Sequence, residues 1–544
     1  MELDMRTHAK GSRLSRRQIL RLAGLAPAAA LASRNGLLLE PLLAASGRPI
    51  AGYNPAWLPD SAQLQRWLKQ LHDFGPIRAT GTPQARAFEE WLATQVTGLG
   101  FSLERDQYKL TSWECDVAKD CAIAVAQDGG TTKNLEVVAY YPFCGSTRGK
   151  APITGRVVYI PNGNKAEVAK AFADQMDPKA LAESIVVIDM PLSQPAGSDY
   201  SRIKWYSESF PADPPPDVNR PNPANQGGRA QMELFEHRAR ALVLCTNDVS
   251  NDTARFSYLP FSDQHRTIPC LFVGAEGSRY LQSVSGKGMM TLRCDATLTP
   301  NARADSLAAT MKGQSDEVIF LTTHTDGPNE VNDNGALGVL ALATYWNRMP
   351  AADRHRTLFL SLPTGHYAGG AIADKVTGSG ERAGTGGVMS KRPDVVRRTV
   401  AQIQLEQMGS MEWIDQNGTY APTGKVARQR WIPTPSAAPV INRLFMAATE
   451  TESPKFANSR LVESGSAPGE GGGLRSRNIP GIGLMGSPSF FFRVDPKGVI
   501  DKLNPDVMHF EASIAAKLMV LFNRLSVDQL QGKAPISDKD VFGV

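Results

Sequence analysis

His324, Asp326 and Asp333, with Asn332 and Asn334 flanking the last, have types and spacings suited to metal chemistry. An imidazole and a carboxylate nine residues apart can share one divalent cation. Asp326, two residues past the histidine, can orient its ring. His366 and Glu406 add a second imidazole and a further oxygen donor. Each has a plainer reading. Asp333 or Asn334 can simply cap a helix; His366 can be a hydrogen-bonded loop histidine in a Gly-rich turn; Glu406 can be a surface carboxylate at a strand end.

These side chains need a frame, and the frame is legible from about residue 300. Val318 to Thr323 reads as a buried strand, Gly335 to Trp346 as a helix, and Thr357 to Leu362 and Thr399 to Leu405 as strands. Ile479 to Met485 reads as another strand, interrupted at its start by Pro480, and Phe510 to Leu525 as a closing amphipathic helix. The alternation predicts an α/β fold, a mostly parallel sheet with helices on both faces. His324, His366 and Glu406 all lie at or just past the carboxyl ends of strands, where such sheets gather ligands. Upstream, Leu64, Trp67, Leu68 and Leu71 repeat at helical spacing, as do Phe88, Trp91, Leu92 and Val96. The turn Arg78 to Pro83 joins those two helices. Leu135 to Tyr140 reads as a strand. From about 150, short apolar runs (Gly155 to Ile160, Ile185 to Met190, Ala241 to Leu244, Cys270 to Val273) predict a β-rich insert with a few helices. Pro211 to Asn225 reads as an exposed loop within it.

With 544 residues, two or three folded units are expected. Net charge is +5, but the first 46 residues carry seven Lys/Arg against three Asp/Glu, so the remainder is nearly neutral. Nucleic acid is therefore not an expected partner. Ser15-Arg16-Arg17-Gln18-Ile19-Leu20, followed by an apolar run to Ala32, resembles a twin-arginine export signal, an address rather than an anchor. The run is too short to span a bilayer and contains Arg21 and Pro27, so no stable membrane insertion is expected. Cleavage after Ala32 or near Ala44-Ala45 fits equally. The expected destination is periplasmic or extracellular, reached through the twin-arginine machinery. Cys115, Cys121, Cys144, Cys245, Cys270 and Cys294 lack the C-x-x-C spacing of a zinc site. Cys115 and Cys121 could pair in an oxidising compartment, or all six remain buried thiols.

Together these residues resemble the aminopeptidase Y / glutamate carboxypeptidase family of zinc metallopeptidases. The resemblance divides the chain into a signal and linker (1–46), an N-terminal part of the peptidase-like unit (47–149), an insert resembling a protease-associated domain (150–297) and a catalytic unit (298–544). The insert matches at Gly155-Arg156-Val157-Val158, Ala241 to Cys245, and Ile268-Pro269 leading to Phe272-Val273-Gly274. In the family, two zinc ions share a bridging aspartate and a glutamate serves as general base. The resemblance implies His324 and Glu406 as zinc ligands, Asp333 as the bridge and Asp326 as the orienting carboxylate.

Two departures matter. No carboxylate occurs between Thr357 and Ala373, so Gly365 stands at the base and His366 at the second-zinc glutamate. Phe492 or Arg493 stands where the late histidine is expected. Arg475-Ser476-Arg477 reads as solvated surface. The leading expectation is an exported hydrolase of a peptide-like amide. It would hold one zinc ion, with a second left open, on His324, Asp333, Glu406 and His366, assisted by Asp326. Glu470, Glu330 and Asp495 are candidate substitute bases, Glu470 foremost. The competing expectation is a catalytically degenerate binding protein, and a third is a glutaminyl cyclase-like reaction.

Overall fold

The computed structural model describes residues 47–126, 130–192, 202–206, 228–256, 264–456, 458–463, 469–486 and 488–544. The export-signal reading and the Pro211 to Asn225 loop lie outside these residues. Among them, nine strands form one sheet. Its heart is four parallel strands, Thr357–Leu362, Val318–Thr322, Thr399–Glu406 and Gly481–Gly486 in spatial order. Every residue of Val318–Thr322 and Thr357–Leu362 is buried, as a strand covered on both faces requires. The expected α/β architecture is therefore present, with antiparallel strands added at both flanks.

One face of the sheet carries the helices Ser61–Asp73, Pro83–Gly98, Gly335–Arg348 and Pro505–Arg524. Gly335–Arg348 is apolar around almost its whole circumference because it lies between the sheet and its neighbouring helices. Asp60 and Thr82 cap the two N-terminal helices, each accepting a backbone N–H of the first turn. Thr82 is followed by Pro83, where the missing N–H costs nothing. On the other face, Val388, Met389 and Leu474 cover Val318, Phe320 and Phe359.

The chain leaves this sheet through Ser102–Glu114 and returns through Thr297–Met311. The two are paired antiparallel from Ser102 opposite Thr310 to Glu114 opposite Thr297, with a register shift between Leu110 and Ser112. This ribbon is the largest feature that sequence patterning missed. Ser102–Glu114 is half polar, and Thr297–Met311 is Ala-rich and contains Pro300 and Asn301, the latter at φ +56°. Between the ribbon strands lies a separate eight-stranded sheet. Its parallel centre is Ile153–Ile160, Ser184–Asp189, Ala241–Thr246 and Cys270–Gly274. Cys121–Ala126 and Val137–Tyr140 also belong to it, so this unit begins well before residue 150. Chain order alone assigns those strands to the larger unit; their hydrogen-bond partners, Met289–Cys294 and Cys270–Gly274, decide otherwise. One strand from the same stretch, Arg202–Tyr206, crosses to pair with Ser459–Glu463 on the large sheet.

The turn after Thr399–Glu406 needs left-handed backbone at Gln407 (φ +56°) and Gly409 (φ +72°). Glu511 of the closing helix holds it. Its carboxylate accepts the Gly409 N–H at 2.7 Å and the Gln429 side-chain N–H at 2.8 Å. Burial pushes this carboxyl up to about 8. A carboxyl raised from 4.5 contributes stability that is complete below pH 4.5 and is lost as pH rises through 8. Glu511→Gln does not titrate, so its thermal midpoint is expected to fall less steeply than that of the parent between pH 4.5 and 8.

Candidate functional site

His324 emerges directly beyond Val318–Thr322 and is fully buried. Its Nδ1–H donates to the Asp326 carbonyl at 2.8 Å, while Nε2 is buried without a hydrogen-bond partner. Burial, reinforced by charge on His366, holds the ring at about 4, so it is neutral and Nε2 presents a lone pair. Asp326 thus orients His324 through its backbone. Its carboxylate has another task, accepting Thr80 Oγ1 at 2.5 Å and the N–H groups of His366 and Tyr367 at 3.2 Å. Those bonds fix the turn through Gly365, whose φ is +84°. A Cβ at Gly365 would meet Ala383 and Ile372 at 2.7 Å, so the turn has no room for a carboxylate there.

The His366 ring lies flat against His324, with centroids 4.2 Å apart and planes 8° from parallel. His366 Nδ1 is paired with Glu470, which also accepts from the Thr385 hydroxyl. Burial would lower the His366 pKa, but Glu470, Glu406 and Asp326 together raise it to about 9. Burial would raise that of Glu470, but the His366 charge and hydrogen bond hold it at about 2. The result is an internal imidazolium–carboxylate pair. The Glu470 N–H donates to Glu406 Oε1 at 2.9 Å, and Glu406 also accepts Gln404 Nε2 at 2.7 Å and Gln407 Nε2 at 3.0 Å. Arg475 is buried, not solvated, and donates to Gln404 Oε1 at 2.9 Å. Sequence patterning put it on the surface because a charged residue in an Arg-Ser-Arg run normally stays in water.

Asp333 makes no hydrogen bond to His324. It forms a bidentate pair with Arg78, Nε to Oδ2 at 2.5 Å and an Nη to Oδ1 at 2.8 Å, with both side chains wholly buried. The remaining donors of Arg78 go to the carbonyls of Leu71, at 3.3 Å, and Gly75. Burial pushes Asp333 up to about 6, against the opposing pull of Arg78. No spacing signal marks Arg78 as a site residue; it was legible only as part of a turn. The other candidate bases lie elsewhere. Glu330 pairs with His72 at 2.5 Å and caps the Val499 N–H at 2.7 Å. Asp495 pairs with Arg493 at 3.5 Å. Arg493 stacks over Phe256 and Tyr420, and Phe492 packs edge-on to Tyr367.

A zinc ion does not fit this arrangement. Both oxygens of Asp333 are committed to a guanidinium, and both oxygens of Glu406 accept N–H groups. A zinc ion sits about 2.1 Å from an imidazole nitrogen and close to the ring plane, so two parallel stacked rings cannot share one. His324, Asp333, His366 and Glu406 do not bring ligand atoms of three side chains within 4.8 Å of one another. Only the bare Nε2 of His324 has the character of a ligand.

No sequence-family profile and no curated protein matches the chain in sequence. Solved structures do match it in shape. A peptidase precursor from Shewanella amazonensis superposes with TM-score 0.55 at 13% identity, over 85% of this chain and 96% of that one. A zinc aminopeptidase from Bacillus subtilis gives 0.53 at 12%, over 84% and 94%. An aminopeptidase from Aneurinibacillus sp. strain AM-1 gives 0.50 at 13%, over 85% and 94%. The fold is zinc aminopeptidase-like. At such identities the likeness establishes architecture, and the chemistry of this aminopeptidase-like chain rests on its own side chains.

Two measurements probe this polar core. Arg78→Leu strands a buried carboxylate and is expected to cost about 3–5 kcal/mol, by analogy with other broken buried pairs. Arg78→Leu combined with Asp333→Leu should recover most of the loss in denaturant unfolding. For the His366–Glu470 pair, the imidazole's contribution is complete below 6.5 and lost as pH rises through 9. The carboxylate's is complete above 4.5 and lost as pH falls through 2. The stability difference between the parent and Glu470→Gln should therefore peak between pH 4.5 and 6.5 and shrink on both sides.

Proposed function

We propose that this chain is an exported, aminopeptidase-fold binding protein for peptide-like ligands, in which the catalytic centre expected from the fold has become a structural polar core. The observation that carries this reading is the bidentate pairing of Asp333 with Arg78. A residue expected to bridge two cations instead neutralises one internal cation. The surroundings agree with it: Gly365 stands where a base is expected, and Glu406 is saturated by neighbouring N–H groups. The smaller unit, resembling a protease-associated domain in sequence, offers a second surface for ligand capture. Export rests on the Arg16-Arg17 segment.

A second reading is favoured by one observation, the unpartnered Nε2 of His324 beside the His366–Glu470 pair. A neutral imidazole with a bare lone pair can accept a proton from water, so a residual amide hydrolase would act through His324.

The readings separate in one assay series. Purified protein would be incubated with aminoacyl 4-nitroanilides and a mixed peptide library, with and without added zinc. The binding-protein reading expects turnover no greater than that of His324→Ala, and equal metal content in the two proteins. Zinc-dependent turnover abolished by His324→Ala, with loss of one metal equivalent, would overturn it. Chelator-resistant turnover abolished by His324→Ala would favour the residual hydrolase.

A further inference from the structure

A different group of side chains meets the requirements that the His324 region does not. Among the described residues, Cys115, Cys121 and Cys294 are the one set of three His, Cys, Asp or Glu side chains whose ligand atoms all lie within 4.8 Å of one another. Cys115 and Cys121 sulfurs are 3.5 Å apart, and Cys144 adds a fourth sulfur 3.8 Å from that of Cys294. These separations are far from the roughly 2.05 Å of a disulfide. Four thiolates placed tetrahedrally about 2.3 Å from a zinc ion stand about 3.8 Å from each other. The sulfurs of Cys115, Cys121 and Cys294 are therefore close enough to one another to form three corners of such a tetrahedron, while Cys144 stands outside that set, next to Cys294.

The sulfurs are delivered by rigid backbone. Cys294 and Cys121 sit directly opposite each other in the antiparallel pair Met289–Cys294 and Cys121–Ala126. Cys115 directly follows the ribbon strand Ser102–Glu114, and the short turn Val117–Asp120 brings the chain back to Cys121. Cys144 is fixed by its carbonyl, which accepts Trp113 Nε1 at 3.0 Å. The segment after it is tied to Cys294 twice: the Thr147 N–H donates to the Cys294 carbonyl at 2.7 Å, and the Cys294 N–H to Thr147 Oγ1 at 2.9 Å. An outer cleft lined by Val117, Ala118, Cys121 and Arg293 supplies an approach, and Cys115 is itself only partly buried.

We propose that Cys115, Cys121 and Cys294 bind one zinc ion as a three-thiolate structural site, its fourth position taken by Cys144 or water, that locks the eight-stranded unit to the ribbon joining it to the large sheet. Binding exchanges the protons of the ligating thiols for one dication, with no redox step. The site goes beyond the proposed binding function and is independent of His324.

Its test uses the full chain, purified without chelator and, separately, refilled with zinc or cobalt(II). One zinc per chain is expected, unchanged in His324→Ala and lost in Cys294→Ser. Cys115→Ser, at the most exposed position, should also lose it while preserving the fold by circular dichroism. The cobalt(II) form should show thiolate-to-cobalt charge-transfer absorption that neither cysteine variant shows. In the zinc form Cys115, Cys121 and Cys294 should resist alkylation until a chelator is added. Intact mass revealing two disulfides with no bound metal would overturn the proposal. So would zinc content unaffected by both cysteine variants.

Discussion

The buried pair of Arg78 and Asp333 organises the larger unit. Arg78 acts with both its backbone and its side chain. Its N–H and carbonyl pair with the carbonyl and N–H of Gly327, each at 3.0 Å, so it forms a one-residue bridge beside the His324 loop. Its guanidinium then reaches Asp333, immediately before the central helix Gly335–Arg348, and the carbonyls at the end of the first helix. A charge buried this completely is tolerated only when geometry and hydrogen bonds offset its desolvation, and here the donors that point inward are matched. The N-terminal helices, the strand-end loop and the central helix are joined at this one residue.

The same principle extends along the carboxyl ends of the parallel strands. Asp326 holds the Gly365 turn, that turn presents His366, His366 pairs with Glu470, and the Glu470 backbone caps Glu406. Gln404 then connects Glu406 to Arg475. A chain of buried polar groups of this kind specifies one arrangement because each half-satisfied alternative leaves a costly orphan. Among the buried atoms left without a hydrogen bond here are the Nε2 of His324 and the Oγ1 of Thr364. Most of the polar groups at these strand ends meet partners from their own chain.

The two sheets are coupled by a ribbon, not by a flexible linker. Ser102–Glu114 and Thr297–Met311 pair along nearly their full length as a two-stranded stem between the units, and Arg202–Tyr206 crosses between them a second time. The cysteine cluster lies at the far end of that stem, where Glu114 gives way to Cys115. A crosslink there, by metal, would stiffen the junction without touching the polar core.

The chain's own periodicity was enough to determine the parallel heart of the fold. Val318–Thr322 and Thr357–Leu362 are apolar runs long enough to be strands and too uniform to be half-exposed, whereas Thr399–Glu406 alternates apolar residues with Gln402, Gln404 and Glu406 and is nonetheless buried throughout except at Val400. The clustering of His324, His366 and Glu406 followed from their shared strand-end address, and Glu470 was singled out despite lying 104 residues from His366. The ribbon was missed because its strands carry polar and small residues whose burial depends on each other. What tertiary structure alone decided is which partner each polar group meets. Asp333 and Arg78 are 255 residues apart, and Cys144 and Cys294 are 150 apart. Local spacing encodes a residue's chemical capacity, but partners brought from distant segments determine whether a carboxylate holds a cation of its own chain and whether scattered thiols converge.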